Sequence, residues 1–299
     1  MSRIALCLIA LGALAACQAP PSVSVPVAAA GPPTKEYRVR ETRLLNGLVS
    51  VRLEIPPAPA GPQPTVIALL GDTHGLLDAG FIAVTYTVYW DLLRTPVPTP
   101  PPGQSVGTWV LASPSADVLG QPYVRDIARN ATEVVPAIVD WLTTQPEVDA
   151  KRLGMIGGST NGFVTLQALA AEPRLGAAVA IAACGDYECF LRDSSMGMQG
   201  APLALTPDYA AWLREQDVTR TPQRLTHGAL LMLNRTGDVL IPFACAEQTA
   251  AVLTQAYAKA GATERFRFTS FDIEGHGIGP QETQAAMQWL QRWLAAPVP

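Results

Sequence analysis

From Thr34 onward the apolar positions of the chain follow two periods in alternation, one of strands and one of helices. Tyr37 to Leu45 and Leu48 to Ile55 read as two strands meeting at Asn46-Gly47, a pair suited to the tight turn of a β-hairpin. Thr65 to Leu70 and Phe81 to Tyr89 are apolar, β-rich runs of the length expected for buried strands. Val135, Ile138, Val139 and Leu142 share one face of a predicted helix from Val134 to Leu142, with Pro136 tolerated near its start. A strand from Lys151 to Gly157, a helix from Gly162 to Ala171 stopped by Pro173, and a strand from Leu175 to Ala183 come next. They are followed by a strand from Ala229 to Asn234, a helix from about Ala244 to Ala260 that stops at Gly261, and a strand from Arg265 to Ile273. Ala286, Trp289, Leu290, Trp293 and Leu294 mark the stripe of a closing helix. This order predicts an α/β fold: a mostly parallel sheet of about eight strands, helices on both faces, and an antiparallel pair at its start.

Composition adds a boundary. The 299 residues include 27 prolines, but 48% of the chain is hydrophobic and 15% charged, so a large core is available and proline does not mean disorder. Fifteen of the prolines fall in three groups of five, at positions 20 to 33, 56 to 64 and 96 to 102. The last group follows the fourth predicted strand, at the sheet edge where a stiff loop would shape a pocket mouth. Net charge is −4, and Lys and Arg form no dense patch, which argues against a nucleic-acid partner.

Arg3 and the uncharged apolar run Ile4 to Ala16 fit a signal-peptide core and are too short to span a bilayer comfortably. The run ends in Leu14-Ala15-Ala16-Cys17, which resembles a bacterial lipobox; Ala13-Leu14-Ala15 would alternatively serve as an ordinary cleavage site. The lipobox resemblance implies a lipid on Cys17 and, with Gln18 next, an anchor in an outer membrane. The expected organisation is a signal peptide at 1–16, a lipidated Cys and proline-rich tether at 17–33, and one catalytic domain at 34–299. Of the cysteines in that domain, Cys184 with Cys189 is a conceivable disulfide, with Cys245 left over. No C-x-x-C pair, His cluster or H-E-x-x-H motif offers a metal site, and the chemistry below needs no cofactor.

The candidate chemistry starts where the Arg152-Leu153-Gly154-Met155-Ile156-Gly157 strand runs through Gly158-Ser159-Thr160-Asn161-Gly162 into a helix. Such a sharp turn presents a nucleophile in a strained conformation and wants small residues two before and two after it. Centred on Ser159 the pattern is G-x-S-x-N; the rival register centres Thr160, whose branched Cβ tolerates positive φ poorly. A serine nucleophile needs a base, and the chain has three histidines. His276, between Gly275 and Gly277, follows the last strand at the sheet's carboxyl edge; His74 is its rival, and His227 precedes a strand and belongs at the opposite edge. Asp238, just past a strand carboxyl end in Gly237-Asp238, is the candidate acid, with Asp186 the alternative and Asp272 and Glu274 behind it. The chain order Ser159, Asp238, His276 is that of an α/β-hydrolase.

Trp141-Leu142-Thr143-Thr144-Gln145-Pro146, Val148-Asp149, the Arg152-to-Gly162 elbow, Gly237-Asp238 and Gly275-His276-Gly277 together resemble the dienelactone hydrolase-like carboxylesterases and the catalytic domain of prolyl oligopeptidases. The resemblance spans Thr34 to Ala295 and implies an α/β-hydrolase fold and a Ser159–His276–Asp238 triad acting on a carboxylic ester, or on a peptide or amide. A non-catalytic surface lipoprotein on the same fold is a further reading. Family members commonly have His-Gly after the third strand, where this chain has Leu70-Gly71-Asp72-Thr73-His74-Gly75. The implied oxyanion donors are the backbone N–H of Thr160 and that of Asp72 or Thr73, with the Asp72 carboxylate turned away. The stretch from Gly71 to Gly80 leaves little room for a helix, which would open the site on that side. Tyr86, Tyr89 and Trp90, near the end of the fourth strand, are candidates for the apolar wall of the substrate pocket.

Overall fold

The computed structural model describes residues 37–57, 61–70, 73–89, 120–195 and 205–295, with the side chains of 120–123 left aside. Cys17 and its neighbours, Asp72, Trp90 and the Pro96-to-Pro102 group lie outside these residues.

An eight-stranded sheet organises the described residues, in the order β1-β2-β4-β3-β5-β6-β7-β8. β1 (Arg38–Leu44) and β2 (Val49–Ile55) form the expected hairpin, with Asn46 and Gly47 both at positive φ in the turn. β2 is also antiparallel to β4 (Ile82–Val88), and every remaining pairing, through β3 (Gln63–Leu69), β5 (Val148–Gly158), β6 (Leu175–Ile181), β7 (Ala229–Gly237) and β8 (Phe266–Glu274), is parallel. The central parallel strands are near-continuous apolar runs because helices cover both their faces.

β5 shows the two faces directly. A Cβ on Gly154 would meet Leu290 and Leu294 at the end of the chain, whereas one on Gly157 would meet Asn161 and Thr165 of the helix Thr160–Ala171. We number the helices α1 (His74–Asp78), α2 (Gly120–Arg129), α3 (Val135–Leu142), α4 (Thr160–Ala171), α5 (Tyr187–Asp193), α6 (Pro207–Gln216), α7 (Phe243–Lys259) and α8 (Pro280–Leu290). The interval after β3, expected to lack room for a helix, holds the five-residue α1: a single turn fits where a longer helix would not. α2, α5 and α6 have no counterpart in the expected elements. α2 continues through a π-helical turn, Asn130–Val134, into α3, so the predicted helix is the last part of a longer one. Among the described residues no helix is long and apolar enough to cross a membrane.

Candidate active site

Ser159 stands between the last residue of β5 and the first of α4, at φ 57° and ψ −127°. A non-glycine residue there costs on the order of 1–3 kcal/mol and persists only where its surroundings hold it. They do: the Ser159 N–H donates to the Ile181 carbonyl of β6 at 2.9 Å, and the Ser159 carbonyl accepts from the Gly162 N–H at 2.8 Å. Thr160, the rival nucleophile, is already helical and away from the apex; its own N–H sits at the N-terminus of α4, where the helix supplies it no carbonyl.

The close approach of strand and helix rests on Gly157, as expected, and on Gly162 in place of Asn161. A Cβ on Gly157 would fall 2.3 Å from the Asn161 carbonyl oxygen, so that position is confined to glycine. On the far side the confined residue is Gly162, where a Cβ would lie 2.8 Å from both the Ala183 Cβ and the Ile181 carbonyl oxygen. Asn161 need not be small because its side chain leaves the crowded gap and donates from Nδ2 to the Leu69 carbonyl at 3.3 Å, joining the elbow to the end of β3.

His276 follows β8 on a loop entered through Gly275, which has φ 81°. Its Nε2 lies 2.8 Å from Ser159 Oγ and its Nδ1 2.7 Å from Asp238 Oδ2. Asp238 follows β7, and its other carboxylate oxygen accepts from the N–H groups of Leu240 and Ile241 at 2.9 and 3.0 Å. Two backbone donors thus fix the carboxylate while Oδ2 faces the imidazole. The Asp238 side chain is fully buried and that of His276 is 21% exposed, so the chain of hydrogen bonds runs from interior to surface and ends at Ser159. The rivals are held elsewhere. Asp186 caps α5 by accepting from the Cys189 N–H, Asp272 accepts from the Thr236 hydroxyl, and His227 Nδ1 lies against the Arg224 carbonyl. His74 opens α1 with its ring beside Tyr37.

The two loops share a base. Arg235, two residues before the end of β7, donates to Glu282 Oε1 at 2.6 Å, and Glu282 Oε2 accepts from the Gly279 N–H at 3.0 Å at the start of α8. The guanidinium lies under the His276 loop, 3.4 Å from where a Gly277 Cβ would be. Burial alone would raise the Glu282 carboxyl, but the Arg235 guanidinium and the backbone N–H bonds hold it below the usual carboxylate range. The Gly275 N–H donates to the Gly237 carbonyl at 3.1 Å, tying the His276 loop to the Asp238 loop. Sequence reading did not single out Arg235 or Glu282; the available signal was Gly279-Pro280 with an acid three residues on, the pattern of a capped helix start.

The other expected site residues have partners of their own. Thr73 caps α1, and its hydroxyl donates to Glu54 Oε2 at 2.6 Å, which fixes the loop after β3 to β2. Tyr86 donates to Asn130 Oδ1 at 2.8 Å and Tyr89 lies under Arg43, 5.6 Å from its guanidinium carbon. Both lie at the carboxyl end of β4, with β3 between that strand and β5, and neither of these contacts involves the triad. Exposed apolar side chains do flank the triad: Val239 after Asp238 is 64% exposed and Ile278 after His276 is 40% exposed.

Cys189 bridges Cys245, with Cα atoms 5.7 Å apart, and Cys184 is buried as a free thiol, so the Cys184–Cys189 pair is not formed. Cys184 follows β6 and is buried in the core, whereas Cys189 on α5 meets Cys245 on α7. Beside the bridge, the Ser194 hydroxyl donates to the Leu240 carbonyl at 2.6 Å and the Ser195 N–H to the Val239 carbonyl at 2.9 Å, stitching the end of α5 to the Asp238 loop.

Comparison with known proteins agrees with this geometry. Residues 124–297 match the prolyl oligopeptidase family. A candidate esterase of Bacillus subtilis (strain 168), YitV, is 22% identical over 175 residues, covering 56% of this chain and 68% of that protein. Among solved structures, a puromycin-hydrolysing peptidase of Mycobacterium tuberculosis superposes with a TM-score of 0.61 at 19% identity, over 87% of this chain but only 40% of that one. A candidate dienelactone hydrolase of Klebsiella pneumoniae superposes with a TM-score of 0.55 at 18% identity, over 88% of this chain and 100% of that one.

Proposed function

The chain belongs to the prolyl oligopeptidase family of serine hydrolases, and from that premise we propose that it hydrolyses carboxylic esters with Ser159 as nucleophile, His276 as general base and acid, and Asp238 as the residue that orients and stabilises His276. The observation that carries this reading is the unbroken series Ser159 Oγ, His276 Nε2, His276 Nδ1, Asp238 Oδ2, with neighbouring atoms 2.8 and 2.7 Å apart. As Ser159 Oγ bonds to the ester carbonyl carbon, its proton passes to His276 Nε2. The resulting oxyanion is met by the Thr160 N–H and a second donor from the loop after β3. Collapse breaks the bond to the alcohol oxygen, which leaves with the proton from Nε2. Water then attacks the acyl-enzyme and gives a proton to Nε2; that proton returns to Ser159 Oγ as the carboxylic acid departs.

Esters are preferred over peptides in this reading because this chain covers the candidate esterase and the candidate dienelactone hydrolase over most of their lengths, yet spans 40% of the peptidase. A peptidase or amidase using the same residues is the second reading, favoured by the family itself. The test is hydrolysis of a p-nitrophenyl ester panel beside matched p-nitroanilides by wild type, Ser159→Ala and His276→Ala. Ester turnover should fall by several orders of magnitude in either variant; turnover surviving both contradicts the assignment, and p-nitroanilide turnover exceeding ester turnover selects the second reading.

For the segment before the described domain, the proposal remains a lipid on Cys17 and an outer-membrane anchor, supported by Leu14-Ala15-Ala16-Cys17 and Gln18. Cys17→Ser should abolish acyl labelling and move the protein from the membrane to the soluble fraction; unchanged partitioning contradicts it.

A further inference from the structure

We propose that an apolar cleft beside Ser159 binds an unbranched hydrocarbon chain of the ester, an inference that rests on the ester-hydrolase reading above. Alternate positions of β5, Gly154, Ile156 and Gly158, face α8. At Gly154 that face is closed: a Cβ there would lie 2.5 Å from Leu294 Cδ1 and 3.6 Å from Leu290 Cδ2. Two residues closer to the elbow, Ile156 forms the floor of a cleft of about 280 Å³. Its walls are Leu76 of α1 and Met287 of α8, and it runs up to Leu70 and Ile278. Those last two side chains also crowd Gly158, the neighbour of Ser159, where a Cβ would lie 2.3 Å from Ile278 Cδ1 and 3.5 Å from Leu70 Cδ2. The cleft therefore reaches the two side chains that pack on Gly158, the residue before the nucleophile.

Its existence follows from the shortness of α1. Five residues of helix cover too little of this face to reach α8, so the surface between them stays open. Among the described residues the lining has no ionisable side chain, and its one side-chain hydroxyl, that of Thr283, donates to the Gly279 carbonyl at 3.0 Å. A lining that is mostly apolar favours an uncharged, apolar occupant. The volume lies just under the usual range of roughly 300–1,000 Å³ for small-molecule pockets, which fits one chain of an ester and not a whole bulky ligand. Taking about 30 Å³ for each methylene, as for a water molecule, the cleft accepts up to about nine carbons. A chain lying in it would cover Ile278, which is 40% exposed beside His276.

The test uses two series on the full chain: p-nitrophenyl esters from acetate to dodecanoate, which lengthen the acyl end, and alkyl acetates, which lengthen the alcohol end. In one of the two, kcat/KM should climb about fourfold per methylene up to about nine carbons and fall beyond; the series that responds names the end that occupies the cleft. Met287→Trp should lower the ratio of long-chain to acetate kcat/KM by about tenfold or more, and Leu76→Ala should move the maximum to longer chains. Flat profiles in both series, or a Met287→Trp loss equal at every length in a protein with unchanged melting, overturn the proposal. Labelling by methyl and octyl fluorophosphonates separates its failure from that of the underlying reading. Faster octyl labelling supports the cleft even where ester turnover is slow, equal labelling by the two overturns it, and no labelling by either defeats the hydrolase assignment itself.

Discussion

Arg235 and Glu282 form an ion pair, 2.6 Å from Nε to Oε1 with the Glu282 side chain only 1% exposed, and the loop that carries His276 is laid over it. The loop of His276, the proposed base, therefore rests on a buried pair for which no bond to the imidazole or to Ser159 is seen. Removing one partner of such a pair costs about 3–5 kcal/mol, because the other charge is left buried and unmatched. Arg235→Leu should lower thermal stability markedly and cut kcat by more than it raises KM, with Arg235→Lys recovering part of both. A stable Arg235→Leu variant with wild-type kcat would show that the loop holds its place without the pair.

The elbow has a sharper local rule than a pattern of small residues. Gly162→Ala puts a methyl 2.8 Å from both the Ala183 Cβ and the Ile181 carbonyl oxygen, whereas the Asn161 side chain is directed at Leu69. Gly162→Ala should destabilise by about 1–3 kcal/mol and reduce kcat, while Asn161→Gly, losing one hydrogen bond of 3.3 Å, should cost about 1 kcal/mol or a little more. Denaturant melts and ester kinetics on the pair measure both. Equal effects would mean that the gap at residue 162 relaxes freely.

The Cys189–Cys245 bridge closes a span of 56 residues that contains Asp238. Its loss should cost about 2–4 kcal/mol by releasing the unfolded chain. The paired Cys189→Ala and Cys245→Ala substitutions, or a reductant, should lower the melting temperature accordingly. Because Ser194 and Ser195 also hold Leu240 and Val239, ester turnover at low temperature should fall much less than stability does. Complete loss of turnover in a folded, reduced protein would assign the bridge a direct part in holding Asp238.

Asp217 gives a pH signature of opposite sign to most buried carboxylates. It is 3% exposed, and burial pushes its pKa up to about 6 from 3.8 despite the two hydrogen bonds from Thr219. Protonated Asp217 favours the folded state, and that contribution is complete below 3.8 and lost as pH rises through about 6. Asp217→Asn keeps an acceptor for Thr219 and removes the charge, so it should be the more stable protein above pH 6 by roughly 3 kcal/mol. The gap should close as pH falls toward 4. A gap that is constant across this range would place the titration elsewhere.

Strand-by-strand alternation was legible because buried parallel strands and capped helices carry local signals, and Ser159, Asp238 and His276 were legible because each follows a strand at one edge in a fixed order. The missing parts are those set by tertiary neighbours. Cys189 meets Cys245 through the packing of α5 on α7, which no spacing encodes. Tyr86 and Tyr89 share the edge position expected of pocket residues, but the strand order puts β3 between them and the elbow. Arg235 and Glu282 lie 47 residues apart and acquire meaning only when β7 and α8 meet.

The most direct test of the account is the site of covalent attachment. The protein is treated with a fluorophosphonate, digested, and the adduct located by tandem mass spectrometry, beside His276→Ala and Asp238→Asn. The account predicts one adduct, on Ser159, formed at least about a hundredfold more slowly in His276→Ala and also slowed in Asp238→Asn. An adduct on Thr160, or ester hydrolysis by a protein that forms no adduct at Ser159, would contradict it.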